Sequence, residues 1–585
     1  MSSSCSASRR PRLIVNSRPA SGGYSKPRKT DATPYPLTSD ISRIQLFSHP
    51  SSEDVPESRP NFLFITTDQQ RWDAVGIHNP LLRTPNMDRL ATQGMLFDRA
   101  YPTNAICMPA RASMITGRSQ RGHQVFNHDV NLSEAIPVLG DSLGNAGYTT
   151  ALIGKAHFKT SDLEDALPDH PPDGASLHED GLWHGPYYGF NYAEIQTGHA
   201  YPAGHHRVWL ERNHPEGIKL WRKENALIEG IGGYESWKNA IPAEWHYTNW
   251  TADRTIDWLQ HRPDQPFFLW ASFADPHKPF APPWPYCEMY DLAEMPDPVP
   301  AEDVSQKPPH YGWAREGKPY GGYNTTQEDW QGDRYREIVA HYYGLTTFID
   351  DAMGRIFDEL DRQGLWQNTH IVFTSDHGEG LKDHGVAAKP MMSYECVNRV
   401  PMFWHHPTIA PGSVHDGVST HLDLTPTFLE LAGADPLPGA EGRSFARLLS
   451  GETDTHRDAV VVERISALGS EEPMKVKMLI TEYWKLLHYG SAPYGELYDV
   501  KNDPEDLTNL WDSLDHQDLK QRLINRLLEV LVDDELGDPR LILSRRGLGG
   551  TLRDQSQMEA EPSHRVDMGE KSRGIAGESE PEEET

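Results

Sequence analysis

Cysteine is scarce in this chain of 585 residues, with four in all (Cys5, Cys107, Cys287 and Cys396), and none stands at the spacing of a metal-ligand or redox pair. A disulfide framework is therefore excluded and reduced thiols are expected. Long apolar runs are missing too. None comes near the eighteen residues a spanning helix needs, and the mean hydropathy is -0.64. Basic residues are outnumbered, 55 Lys and Arg against 85 Asp and Glu, for a net charge of -30. A chain so short of clustered positive charge does not displace the counterions of nucleic acid or hold an anionic membrane, so neither is expected as a partner. Cations suit it better. The opening segment, from MSSSCSASRR to SSEDVPESRP, is rich in Ser, Pro and Arg and lacks the apolar stretch of a secretory signal. Residues 1–59 are expected to form a disordered arm, and the protein to be cytoplasmic. Residues 546–585, ending GESEPEEET, are polar and acidic without apolar periodicity and are expected to be a disordered tail.

What is present between these ends is an alternation of short apolar runs and helical segments, which predicts an α/β fold. NFLFITTD (Asn61 to Asp68), YTTALIG (ending at Gly154), PFFLWASF (ending at Phe273) and HIVFTSD (ending at Asp376) read as buried parallel strands. Thr84-Pro85-Asn86 opens a short helix that ends at Gly94. Each apolar run is followed by a polar cluster: Asp68-Gln69, Lys155-Ala156-His157, Asp275-Pro276-His277-Lys278 and Asp376-His377-Gly378. In open α/β sheets ligands gather beyond the carboxyl ends of the parallel strands, so four clusters far apart in sequence are expected to converge. In the stretch ICMPARASMITGR, Pro109 fits the first turn of a helix, which places Cys107 at the helix N-terminus. An anion held there meets backbone N–H groups and the guanidinium of Arg111.

Cys107-Met108-Pro109-Ala110-Arg111, continuing through Gly117-Arg118, resembles the C-x-P-x-R signature of the type I, formylglycine-dependent sulfatases of the alkaline phosphatase superfamily. Asp68-Gln69, TPNMDRLATQGMLFDRAY, GKAHF, DPHKPF, SDHGEGLKDHG and GELYDVKNDPEDLTNLWD resemble the other landmarks of that family in family order, over roughly residues 60 to 540. The resemblance implies an alkaline-phosphatase-like mixed central sheet flanked by helices in a catalytic domain of residues 60–454, with a smaller C-terminal α+β subdomain over 455–545. It implies a sulfuric ester hydrolase that converts a sulfate ester to alcohol and inorganic sulfate. The nucleophile is then the hydrate of a formylglycine made from Cys107 by a formylglycine-generating enzyme.

Carried over residue by residue, Asp68, Gln69, Asp376 and His377 are the expected ligands of one divalent cation, with the modified Cys107 completing the site. Carboxylates and an amide oxygen suit Ca²⁺, while the nitrogen of His377 departs from the commoner Asp-Asn pair and leaves Mg²⁺ and Mn²⁺ open. The Asp-Gln and Asp-His choices are similar to the choline-sulfatase and phosphonate-monoester-hydrolase branch, whereas Lys155 and His157 match the GK-x-H motif of true sulfatases. Lys155 and Lys389 are expected to bind sulfate oxygens, Arg111 to hold the aldehyde hydrate, His277 to protonate the departing alcohol and His157 to act as the base that expels sulfate. The expected substrate is a sulfated small molecule or oligosaccharide, its alcohol aryl, choline or carbohydrate. Two alternatives stay open: a phosphonate monoester or phosphodiester hydrolase on the same fold, and a noncatalytic binder of sulfated ligands. Oligomeric state is not indicated.

Residues 170–250 read as a substrate-selecting insertion, with seven histidines between His170 and His214. There His205, His206 and Arg207 are candidates for a second anionic or sugar group, and Trp209 for stacking on a sugar ring. Asn127 and His128 are candidate pocket residues, while structural roles are expected of Lys278, Asp383 and His384. Near the end, KVKMLITEYWKLLHYG and GELYDV read as antiparallel strands, and Leu519, Leu523 and Leu527 mark one face of a helix.

Overall fold

The computed structural model describes residues 59–536 apart from 129, 161–175, 200, 228–234, 302, 316–329 and 467–473. Residues 1–58 and the acidic tail, and with them Cys5, lie outside the described residues, as does His170.

Phe62, Phe64, Phe268 and Trp270 point to one face of a sheet, and Leu63, Ile65, Leu269 and Ala271 to the other, as the period of two in a strand dictates. Both faces are apolar, so both must be covered. Among the described residues this sheet has eight strands: β1 (Asn61–Thr67), β2 (Met95–Tyr101), β3 (Thr149–Gly154), β4 (Tyr192–Ile195), β5 (Phe267–Ser272), β6 (Thr369–Ser375), β7 (Met402–His405) and β8 (Ser413–Thr420). Their order is β4-β3-β5-β1-β6-β7-β2-β8, and β7 runs against the rest. The helices Cys107–Thr116, Leu139–Asn145 and Leu424–Ala432 cover the first face. Pro85–Gln93, Tyr247–His261 and Asp333–Arg362 cover the second. The expected mixed α/β sheet is present, with the four anticipated strands at its centre. Sequence patterning did not single out β2, β4, β7 or β8, which are short or interrupted by charge.

A second sheet of four antiparallel strands follows: β9 (Ala459–Ser466), β10 (Met474–Thr481), β11 (Trp484–His488) and β12 (Gly495–Asp499), in the order β12-β11-β10-β9. The helix Gln517–Leu536 lays Leu523, Leu527 and Val530 on Leu479, Leu486 and Leu497 of this sheet, with Leu519 partly buried beside them. Polar ties fasten the second sheet to the first layer. Buried Lys485 donates to Asp506 Oδ2 (2.7 Å) and to the Ser393 carbonyl (2.9 Å), and it pairs with Glu395 (2.7 Å). Tyr311 donates to Glu496 (2.8 Å).

The centre of the main sheet positions the polar clusters. Its ladder runs one step past the strands, with Asp68 N donating to Asp275 O (3.1 Å), Asp376 N to Thr67 O (3.1 Å) and Lys155 N to Ser272 O (2.8 Å). The carboxyl ends of β1, β3, β5 and β6 are thereby held level. Gly154 makes this possible at β3: its φ is 103°, and a Cβ there would lie 1.9 Å from the Ser272 carbonyl oxygen. Gly154→Ala is expected to cost roughly 2–4 kcal/mol, as strain plus backbone clash. Thermal unfolding should show a midpoint lower by several degrees, and an unchanged midpoint would refute the contact.

Candidate active site

The sequence places Ile106 in extended conformation (φ -133°, ψ 139°) and starts a helix at Cys107, with Pro109 in its first turn. All ten residues to Thr116 are buried, and the helix is stopped by Gly117 in the left-handed conformation. Cys107 Sγ lies 2.9 Å from Lys389 Nζ, 3.1 Å from His377 Nε2 and 3.6 Å from Asp68 Oδ1. Burial pushes the thiol up, against the pull of Lys389.

Arg111, one turn along the same helix, is wholly buried. Its Nε donates to Asp376 Oδ2 (2.8 Å), and its Nη1 donates both to the Lys155 carbonyl (2.8 Å) and to Ser272 Oγ (2.8 Å). Nη2 has no hydrogen-bond partner and stands 4.0 Å from Asp68 Oδ2. Burial raises the Asp376 carboxyl, but His377, Arg111, Lys155 and Lys389 outweigh it and hold the group below the usual carboxylate range. Lys155 Nζ makes a close ion pair with Asp68 and lies 2.9 Å from His199 Nε2. Burial pushes its ammonium well below the usual lysine range, with Asp376 opposing.

The donor set fits a divalent cation. One ligand atom each from Asp68, Cys107, Asp376 and His377 lies within 4.8 Å of the others. His377 Nδ1 lies 2.9 Å from the Gly378 carbonyl. A carbonyl only accepts, so Nδ1 carries the proton and Nε2 presents a lone pair to the cluster. Gln69 has φ 67°, and its Nε2 donates to Glu379 while its Oε1 is buried without a partner. Leaving such an oxygen unpaired costs about 1–3 kcal/mol, which a cation would remove. Two carboxylates, an amide oxygen and an imidazole nitrogen are ligands of a hard or borderline ion.

A family model described as Sulfatase matches residues 60–434, and a second, described as N-sulphoglucosamine sulphohydrolase, C-terminal, matches residues 382–533. The chain belongs to the sulfatase family. It is 30% identical over 488 residues to the multifunctional alkaline phosphatase superfamily protein PehA of Trinickia caryophylli, covering 77% of this chain and 91% of that one. It is 28% identical over 490 residues to an arylsulfatase of Clostridium perfringens, covering 81% and 94%. Among solved structures, phosphonate monoester hydrolase of Agrobacterium radiobacter matches with a TM-score of 0.67 at 27% identity, covering 81% of this chain and 96% of that one. The chain is accordingly a sulfuric ester hydrolase of the alkaline-phosphatase-like fold.

In this sulfatase the two remaining candidate histidines flank the cluster. His277 Nδ1 lies 2.5 Å from the Lys278 carbonyl, so it too carries the proton, and Nε2 stands 3.4 Å from Lys389 Nζ. Burial, then His199, Lys389 and Lys155, hold this ring well below the usual histidine range. His157 (φ 58°) stacks on His128 with centroids 5.4 Å apart, and its Nδ1 is buried without a partner. Burial and Lys155 keep it neutral. His128 thus stands beside a candidate residue, while the exposed Asn127 side chain accepts from the backbone N–H of His128 (2.9 Å).

The insertion residues singled out for a second anionic group do not face the cluster. His205 bonds to Ile195 N (3.0 Å) and to the Trp183 carbonyl (2.8 Å), and His206 to the Trp245 carbonyl (2.9 Å). Arg207 is exposed and paired with Glu211 (2.8 Å). Trp209 packs against His206 and His214. These side chains fasten the helix Gly204–Asn213 to its surroundings, which is what half-apolar rings do when a short helix must be buried. Among the described histidines of the insertion, the one that reaches the cluster is His199, stacked on His277 at 3.8 Å. It lies four residues beyond β4, at the same edge as the other clusters, and would have been found had the four-residue β4 been read as a strand. Lys278 is paired with Glu235 (2.5 Å), and Asp383 accepts from Val299 N (2.8 Å) and pairs with Arg71 (2.7 Å), which are structural roles.

Arg111→Lys keeps a cation but spans fewer of its three acceptors, leaving buried groups unpaired at a cost of about 3–5 kcal/mol. Ser272→Ala removes one neutral acceptor and is expected to cost about 1 kcal/mol. Equal thermal shifts for the two variants would show that the guanidinium is not the central tie.

Proposed function

We propose that the chain hydrolyses a sulfate ester to an alcohol and inorganic sulfate at the Cys107 cluster, with residue 107 converted to formylglycine by a formylglycine-generating enzyme. The observation that supports this best is the gathering of two lysines at residue 107: Lys389 Nζ lies 2.9 Å from Sγ, and Lys155 reaches Asp68, itself 3.6 Å from Sγ. As its hydrate, formylglycine would supply the attacking hydroxyl, and a divalent cation held by Asp68, Gln69, Asp376 and His377 would supply positive charge at a sulfate oxygen. Ca²⁺ is the first choice for that ion, and the His377 nitrogen admits Mn²⁺.

The chain's own side chains do the rest. Lys155 and Lys389 take sulfuryl oxygens, where fixed donors in a dry site act at low dielectric and need no reorganisation. Arg111 is locked by three hydrogen bonds, and its Nη2, unpartnered and 4.0 Å from Asp68 Oδ2, is the donor left to hold the hydrate. His277 offers Nε2 to the leaving oxygen. Its ring is neutral in the free site, since burial and its cationic neighbours oppose a second proton. An anionic ester offsets those neighbours, so the protonated acid belongs to the substrate-loaded state. His157, kept neutral, is the base. The substrate is a sulfated small molecule or oligosaccharide.

A second reading, phosphonate monoester hydrolysis, is supported by the Gln69 and His377 ligand choices and by the likeness to the Agrobacterium radiobacter enzyme. Sulfate monoesters and phosphonate monoesters both carry one negative charge, so one set of cations serves both. Lys155 and His157 favour sulfate. Rates measured side by side on an aryl sulfate and an aryl phosphonate ester decide between them: faster sulfate turnover is expected, and the reverse order would overturn the first reading. Cys107→Ala is expected to abolish turnover with an unchanged fold, and mass spectrometry of the native peptide to show formylglycine. Full activity of Cys107→Ala would end the assignment.

His277→Ala is expected to slow esters of alkyl or sugar alcohols by roughly 10² to 10⁴ and activated aryl esters far less, because a stable phenolate needs little protonation. Equal losses across a leaving-group series would make His277 a binding residue.

A further inference from the structure

Gln69 meets the cation cluster through an amide, and only one end of an amide can bind a cation. The backbone of Gln69 is fixed independently of its side chain: its N–H donates to Asp376 Oδ1 (3.0 Å) and its carbonyl accepts from Tyr342 (2.8 Å). The side chain is free to present either Oε1 or Nε2 unless a neighbour decides. That neighbour is Glu379, which is fully buried. Its Oε1 accepts from the backbone N–H groups of Leu381 (3.1 Å) and Ala388, and its Oε2 accepts from Gln69 Nε2. Both carboxylate oxygens are engaged, so the group has no freedom to turn. A carboxylate only accepts, so the nitrogen of Gln69 must face it and the oxygen must point away from it. Gln69 Oε1 is the buried, unpartnered atom that this leaves.

We propose that Glu379 is a positioning residue that sets the Gln69 amide with its oxygen toward the cluster and so determines how tightly the divalent cation is held. The proposal rests on the reading of Gln69 as a ligand. The same carboxylate also anchors Ala388, which has φ 61° and precedes Lys389, so one buried anion fixes both a cation ligand and the segment that carries a sulfate-binding lysine.

The hydrogen-bond pattern makes a reciprocal exchange decisive. In Glu379→Gln the amide oxygen keeps the two backbone N–H groups, and its NH₂ then confronts the NH₂ of Gln69. Gln69 must flip and turn donors toward the cation. In the double variant Gln69→Glu with Glu379→Gln, the new amide donates to the new carboxylate, whose other oxygen faces the cluster again. Titration calorimetry of CaCl₂ and MnCl₂ into the chelator-treated full chain is expected to show at least a tenfold weaker binding for E379Q, the size typical of losing such a partner, with recovery to about wild-type affinity in the double variant. Metal-free unfolding temperatures check that each variant is folded. If E379Q does not fold, the double variant alone is compared with wild type, and binding within about fivefold supports the proposal while binding weaker by more than the roughly 10² of an outer-shell loss overturns it. Binding by E379Q within twofold of wild type, or no recovery in a folded double variant, overturns it. Wild-type protein that takes up neither ion overturns the ligand reading of Gln69 as well, which distinguishes the two failures.

Discussion

Arg111 is the group on which the site hangs. A guanidinium with no exposure to water is tolerable only if its donors and its charge are met, since the penalty for a lone buried ion is several kcal/mol. Asp376 meets the charge, and the Lys155 carbonyl and Ser272 hydroxyl take the bonds of Nη1, leaving Nη2 alone without a partner. Those three partners stand at the ends of β6, β3 and β5, while Arg111 itself belongs to the helix that begins at Cys107. One planar side chain therefore ties three strand ends to the helix that starts at Cys107. Because the guanidinium is flat and rigid, the tie fixes orientation as well as distance.

The histidines are set by a common local device. His277 and His377 each give their Nδ1 proton to the carbonyl of the following residue, Lys278 and Gly378. Each therefore turns a lone pair on Nε2 toward Lys389, and His377 also toward Cys107. Neither needs a distant partner to choose its tautomer, so the choice is made by the backbone geometry just after a central strand. His199, reaching Lys155 from beyond β4, completes a rim that runs from His377 through Lys389, His277 and His199 to Lys155.

Much of this was legible in the sequence, and for a physical reason. β1, β3, β5 and β6 are buried on both faces and so appear as unbroken apolar runs, each closed by residues too polar for a core. Asp68, Gln69, Lys155, His277, Asp376 and His377 could be placed together from that alone, and Cys107 with Arg111 from helix-start chemistry. What was not legible depended on pairing between distant segments. The reversal of β7 is written nowhere in MFWH, which is apolar whichever way it runs. In the insertion, seven histidines gave no local sign of which one reached the site, and the adjacent pair His205 and His206 drew attention while serving only to seat a helix. Glu379, standing in SDHGEGLKDHG, carries no local sign that the fold buries it against Gln69.

The burial of residue 107 also sets a clock. It is 1% exposed, at the start of a helix whose ten residues are all buried. An enzyme that must modify this thiol therefore has to reach it before the surroundings close. The segment that carries Lys389 is pinned through Ser393 by Lys485, which is held in turn by Asp506, about 400 residues further along the chain than Cys107. At the usual pace of synthesis, 5–20 residues per second, the interval between the emergence of the two is roughly 20 to 80 s. Under the proposed conversion of residue 107, the long separation in sequence between it and the last pieces that enclose it would work as a delay line, keeping the thiol open to a modifying enzyme while the rest of the chain is still being made.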